Sequence, residues 1–299
     1  MPQIKANGIN IEYESFGRES DPAILLIMGF SGQLTLWPVA LCEGLAARGF
    51  RVIRFDNRDI GKSTHLTDKG APNIQALMAK LMAGEPADAP YTLDDMAMDS
   101  AALLDALGIA KAHIVGASMG GMIAQLVAAQ HPAKTRSLVS IMSTTGRRDL
   151  PPARPEAMAA LMSPPASTSR EDRIRSSMET WRVIGSPGFA ASDAELRAGA
   201  ERDIDRVPYE PIGVARQMAA IITAPPRNDV LKSVTAPTLV IHGVDDPLVP
   251  IEGGRDTAAS IAGARIVEVP GMGHDFSAAL SPVMEKHIGE FVSGVDLGA

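Results

Sequence analysis

Apolar residues follow two rhythms along this chain. Ala23 to Met28 and Arg51 to Phe55 are short, nearly unbroken apolar runs of the kind that suits strands covered on both faces, and Trp37 to Arg48 between them is spaced like a helix. Together they predict a parallel β-α-β unit. Ahead of it, Gln3 to Ala6 and Ile9 to Phe16 flank Asn7-Gly8, the dipeptide that best tolerates the positive φ of a tight hairpin, so an antiparallel edge hairpin opens the fold. Thr92 and Asp95 are spaced as a capping box for a helix running to Leu107, which leads into a strand from His113 to Gly116. A helical pattern from Met119 stops at Pro132, and Ser137 to Met142 reads as the next strand.

The rhythm then changes. Roughly from Gly146 to Lys232 the chain is rich in Pro, Ala and Met, with helical pieces and no convincing strand. Strand character returns at Thr238 to His242 and Arg265 to Val269, and an amphipathic helix from about Pro282 to Val295 closes the chain. This predicts an α/β core in two parts, 1–145 and 233–299, with a helical cap or lid inserted over 146–232. Lys62 to Tyr91 is long for a loop; a short helix is expected around Ile74 to Met82, where it would wall a pocket.

Composition narrows the function. With 45% hydrophobic and 21% charged residues the chain has ordinary globular usage, and only 4% aromatics leaves the core to aliphatic side chains and Met. A formal charge of -7, interspersed rather than blocked, argues against nucleic acid as a partner. Cys42 is the only cysteine, so neither an internal disulfide nor a multi-cysteine metal site can be built. The first residues lack a secretory apolar stretch and no later run is pure enough to span a bilayer, so a cytoplasmic protein with no membrane partner is expected. No phosphate cradle or zinc-binding His pair is evident, so no metal and no other cofactor is expected.

The strongest chemical signal is Gly116-Ala117-Ser118-Met119-Gly120, set between a predicted buried strand and a predicted helix. So abrupt a strand-to-helix turn needs small flanking residues and pushes the serine outward at the carboxyl edge of the sheet. A serine hydroxyl is a weak nucleophile until a neighbouring base takes its proton. Of the six histidines, His274 lies in a Gly-rich loop, Pro270 to Asp275, after a predicted strand, while the other five occupy positions that suit structural or surface roles. The base needs an acid to fix its tautomer. Asp245 and Asp246 compete for that place; Asp246 is preferred because Pro247 stiffens the turn that carries it past the strand end.

Ser118, Asp246 and His274 thus follow nucleophile, acid and base in chain order, each after its own strand. With Met28-Gly29-Phe30, Arg54 to Ser63, Gly116 to Gly121, His242 to Pro247 and Gly271 to His274, the chain resembles the cap-bearing serine-esterase branch of the α/β-hydrolases, the branch of aclacinomycin methylesterase and haloperoxidase-like esterases. That resemblance covers essentially the whole length. It implies a mostly parallel eight-stranded sheet with helices on both faces, and backbone amides of Phe30 and Met119 as the oxyanion hole. It also implies that Asp56 to Ser63 is a structural turn, in which Arg58 is the residue to watch. Where many relatives carry His-Gly after the third strand, this chain has Met28-Gly29; the amide that follows is kept.

The function these residues predict is a carboxylic ester hydrolase acting on small to medium, mainly hydrophobic esters through an acyl-enzyme. The same residues would serve a lactonase, a haloperoxidase-like perhydrolase or a carbon-carbon bond hydrolase, and a non-catalytic receptor is a further alternative. Phe30, Trp181 and Leu248 are candidate substrate contacts, and Met158, Met162, Met178 and Met218 would form either an acyl pocket or the cap's own core. The expected partner is a small-molecule ester, and a monomer and a homodimer both remain open.

Overall fold

The hairpin opens the fold as expected, with β1 (Gln3–Ala6) and β2 (Ile9–Phe16) antiparallel and the chain turning through Asn7 at φ 46° and Gly8 at φ 80°. This is a computed structural model, and it describes residues 1–298. The remaining strands are β3 (Ala23–Ile27), β4 (Arg51–Phe55), β5 (Ala112–Ala117), β6 (Thr135–Ile141), β7 (Thr238–Gly243) and β8 (Arg265–Val269). They form one eight-stranded sheet in the order β1-β2-β4-β3-β5-β6-β7-β8, parallel from β4 to β8.

The unbroken apolar runs are explained by two cores. Along β3, Ala23, Leu25 and Ile27 enter one cluster while Ile24 and Leu26 enter the other, the two-residue period of a strand buried on both sides. The first cluster lies under α3 (Leu93–Ala106) and α4 (Met119–Gln130); the second lies under α1 (Val39–Ala47) and α11 (Ser281–Leu297). Thr92 and Asp95 form the capping box that the sequence announced. The first crossover helix begins at Val39 rather than Trp37, because Leu34–Leu36 make a short 3-10 turn and Pro38 sets the N-cap. The indole of Trp37 is instead fully buried in the second cluster.

Between β6 and β7 the described residues contain helices and no strand: α5 (Pro155–Met162), α6 (Arg170–Ile184), α7 (Asp193–Arg206), α8 (Pro211–Thr223) and α9 (Asn228–Leu231). α6 packs on α5 and α7, and α8 packs on α2 (Ile74–Met82), whose bounds are those expected. α9 packs instead against α4 and against α10 (Ile251–Ser260), beside the sheet. Two ion pairs tie this helical segment down: half-buried Arg206 to buried Asp56 at 2.7 Å, and fully buried Arg216 to Asp59 at 2.7 Å. No helix among the described residues is long and apolar enough to cross a membrane.

Candidate active site

Ser118 is the single residue between the end of β5 and the start of α4, at φ 56° and ψ -122°. A side chain held there costs about 1–3 kcal/mol, so the surroundings must enforce it. They do so through steric exclusion. A Cβ on Gly116 would lie 2.0 Å from the Gly120 carbonyl oxygen, and one on Gly120 would lie 2.0 Å from that of Ile27. The Ser118 N–H donates to the Ile141 carbonyl at 2.9 Å, and the Ser118 carbonyl accepts from the Ser143 hydroxyl at 2.8 Å. The hydroxyl is thereby turned away from the sheet, on a half-buried residue.

His274 meets it. Nε2 of the imidazole stands 2.9 Å from Ser118 Oγ, and Nδ1 stands 2.7 Å from Asp246 Oδ2. A carboxylate only accepts, so Nδ1 carries the proton and Nε2 is left free to accept from the serine hydroxyl. Asp246 is buried, and its other oxygen accepts the N–H groups of Leu248 at 2.9 Å and Val249 at 2.8 Å. Asp245, the competing aspartate, accepts instead from the Gly271 N–H at 2.7 Å, where it builds the turn. His242 lies behind the acid, 3.9 Å from Asp246 Oδ2, and its Nε2–H donates to the Val249 carbonyl at 2.8 Å. Burial pushes the His242 imidazole below the ordinary histidine range, so it brings no second positive charge to the carboxylate.

The two amides expected to face an oxyanion belong to segments that meet the serine. Met119 is the first residue of α4, so its N–H has no acceptor one turn back. The Phe30 N–H donates to no protein acceptor among the described residues. Gly29 brings that segment against the nucleophile, since a Cβ there would sit 3.0 Å from Ser118 Cβ and 3.5 Å from Oγ. Phe30 itself is half-buried against the first core cluster.

The other sequence candidates fall elsewhere. Trp181 lines a surface groove of about 320 Å³ with Arg154, Ser186, Pro247 and Asp275, from whose lining Ser118 and His274 are absent. Leu248 is half-buried and serves Asp246 through its backbone. Met158 and Met162 are exposed, so they belong to no core of the helical segment between β6 and β7, while Met178 and Met218 are half-buried. Arg58 pairs with Asp99 at 2.6 Å and covers the Tyr91 ring at 5.0 Å, a buried structural role. Cys42 is buried, and burial pushes its thiol up to about 12, far from a reactive thiolate.

Sequence reasoning did not find the helical segment's grip on the site loops. The Ser186 hydroxyl donates to Asp275 and accepts from the Gly273 N–H at 2.9 Å, and the His274 N–H donates to the Ile184 carbonyl at 2.8 Å. The only local signal was Ser186-Pro187 following a helix, which reads as an ordinary turn.

The fold is shared with known proteins. The family model described as alpha/beta hydrolase fold matches residues 22–277. Rhodomycin D methylesterase DauP of Streptomyces sp. (strain C5) is 29% identical over 304 residues, covering 93% of each chain. Among solved structures, a thermophilic esterase from Thermogutta terrifontis aligns with a TM-score of 0.67 and 25% identity over 98% of both chains. The enol-lactonase of Burkholderia xenovorans LB400 aligns with a TM-score of 0.71 at 23% identity, over 98% of this chain and 100% of its own, a likeness of fold.

Proposed function

Because the chain belongs to the α/β-hydrolase fold family, we propose that it is a serine carboxylic-ester hydrolase working through an acyl-enzyme. The observation that carries this reading is the continuous line from Ser118 Oγ through the His274 ring to Asp246, at 2.9 and 2.7 Å. Within it, His274 Nε2 takes the Ser118 proton as Oγ attacks the ester carbonyl carbon, and Asp246 steadies the imidazolium that forms. The carbonyl oxygen becomes an anion held by the N–H groups of Phe30 and Met119, each worth roughly 3–4 kcal/mol in comparable sites. Collapse of the tetrahedral intermediate expels the alcohol, which takes the proton from His274. Water, activated by the same imidazole, then releases the acid and restores Ser118.

Rhodomycin D methylesterase is named for a methyl ester, which supports a small alcohol leaving group. The half-buried Phe30, next in the chain to the Gly29 that lies against the serine, suits an uncharged, largely hydrophobic acyl part, and residues 146–232 would cover it as a cap. The test is hydrolysis of short p-nitrophenyl esters by wild type and Ser118→Ala, with mass spectrometry after a fluorophosphonate label. Wild type should turn over and gain one adduct on Ser118, and the variant should lose about 1,000-fold or more in kcat. Comparable turnover by both proteins removes the proposal.

A further inference from the structure

We infer that Gln217, on the helical segment between β6 and β7, is a positioning residue that keeps the Phe30 amide aimed at the oxyanion; this rests on the reading of Phe30 given above. Gln217 is on α8 and fully buried. Its Oε1 accepts from the Ser31 N–H at 2.9 Å, and its Nε2 donates to the Arg58 carbonyl at 3.1 Å. Both amide ends are therefore spent on backbone, and the donor and acceptor they meet fix which end is which.

Phe30 and Ser31 are the central pair of a turn closed by the Gly32 N–H donating to the Gly29 carbonyl at 3.2 Å. Ser31 sits at φ 57°. In such a turn, positive φ at the third residue means that the peptide joining the central pair is reversed relative to the common form, and glycine or asparagine is the usual occupant. Serine has no such freedom, so the bare turn would relax to the common form and reverse the Phe30–Ser31 peptide. Gln217 opposes this by accepting the Ser31 N–H in the orientation that the observed turn presents.

α8 can hold that position because it is itself held. Arg216, the preceding residue, grips Asp59 through Nε at 2.8 Å and Nη2 at 2.7 Å, and a Cβ on Gly213 would lie 2.5 Å from the Asp59 carbonyl oxygen. Since Gly29 already lies against Ser118, a small rotation in this turn moves the Phe30 N–H relative to the reacting carbonyl. Misaim of that kind weakens transition-state binding while leaving ground-state binding nearly intact.

The experiment compares wild type, Ser118→Ala, Gln217→Leu and the double variant Gln217→Leu/Ser31→Gly on p-nitrophenyl butyrate, with inhibition by an alkyl trifluoromethyl ketone, whose adduct places an oxyanion in the site. Gln217→Leu should lower kcat about tenfold or more with KM within about threefold, and weaken ketone inhibition by a similar factor. Adding Ser31→Gly should restore most of both, because glycine holds positive φ without a clamp. If the leucine variant does not fold, Gln217→Met, closer in volume, carries the same comparison. Wild-type kcat in Gln217→Leu alongside an inactive Ser118→Ala overturns the positioning role alone. So does a loss that Ser31→Gly fails to restore, which marks Gln217 as a purely structural residue. Full activity in Ser118→Ala overturns the oxyanion reading and this inference with it.

Discussion

Ser186 and Asp275 are joined by a hydrogen bond from the serine hydroxyl to the buried carboxylate, beside the residue that carries the imidazole. The Gly188 N–H donates to the Gly271 carbonyl at 2.8 Å, so residues 184–188 run along the histidine loop and bond it on both sides of His274. Burial pushes the Asp275 carboxyl above the ordinary carboxylate range, with the Ser186 bond as the main opposing effect.

Removing that hydroxyl in Ser186→Ala leaves the buried Asp275 carboxyl with the Ser186 N–H alone and the Gly273 N–H without its partner. A hydrogen bond to a charged group contributes about 1.5–3 kcal/mol, so urea unfolding should show a stability loss of about 2 kcal/mol. The imidazole should also be held less firmly, and kcat on a p-nitrophenyl ester should fall several-fold with KM little changed. A variant matching wild type in both measurements would mean that the histidine loop keeps its place without help.

The anchoring ion pairs predict a sharper effect. Asp59 and Arg216 are each 1% exposed, and Arg216 also donates to the Gly70 carbonyl at 2.9 Å. In Arg216→Met the Asp59 charge stays buried and unpaired, which typically costs about 3–5 kcal/mol. Replacing both, in Asp59→Leu/Arg216→Met, removes the charge as well as the partner and should be far less damaging. Denaturant midpoints of the two variants decide it; equal losses would show that burial of the charge is not what matters.

Most of the fold was legible because its signals are local. β3 and β4 show themselves as apolar runs, and α2, α3 and α4 are marked by spacing, caps and Pro132. The three residues that the structure brings together could be picked out for the same reason: Ser118 follows β5 at once, Asp246 and His274 lie in the short loops after β7 and β8, and parallel strands deliver their carboxyl ends to one edge. What stayed hidden depends on distant partners. The contacts of Gln217 with Ser31 and Arg58, and of Ser186 with Asp275, span 186, 159 and 89 positions. A glutamine in an amphipathic helix reads as a surface residue until the loop that buries it is known. Trp181 shows the same limit, since an aromatic in the helical segment suggests a substrate contact, yet it lines a groove whose lining includes neither Ser118 nor His274.

His113 makes stability depend on pH. It is fully buried on β5, with Nδ1 2.7 Å from the Ser137 hydroxyl, and burial pushes its imidazole down to about 4 from 6.5 although the Asp296 carboxylate lies 3.2 Å from Nε2. Between those values the folded chain stays neutral there while the unfolded chain takes up a proton. Unfolding therefore gains protons in that window, and stability falls as pH drops from about 6.5 toward about 4. Full traversal would remove on the order of 3 kcal/mol. In His113→Asn the residue no longer titrates, whereas Asp56, Asp99, His242 and Asp275 still do. The difference between wild type and variant in urea unfolding should thus shift against wild type by about 2 kcal/mol from pH 7 to pH 4.5. A constant difference across that range would deny the buried imidazole its role.

Gly120 and Gly294 predict opposite outcomes for one substitution. On Gly120 a Cβ would lie 2.0 Å from the Ile27 carbonyl oxygen and 2.7 Å from that of Met28, both backbone atoms of a central strand and the segment leading to Phe30. Neither can move without taking the sheet edge along, so Gly120→Ala should lose about 3 kcal/mol or more of stability, and its ester hydrolysis should fall sharply as the Ser118 turn opens. Gly294 lies within α11, where a Cβ meets nothing within 4 Å. There alanine relieves the entropy that glycine loses in a helix, and Gly294→Ala should gain about 0.5–1 kcal/mol with activity unchanged. Thermal midpoints and p-nitrophenyl ester turnover of both variants test the pair. A tolerated Gly120→Ala would show that the strand-to-helix turn holds Ser118 by some means other than the close approach of α4 to β3.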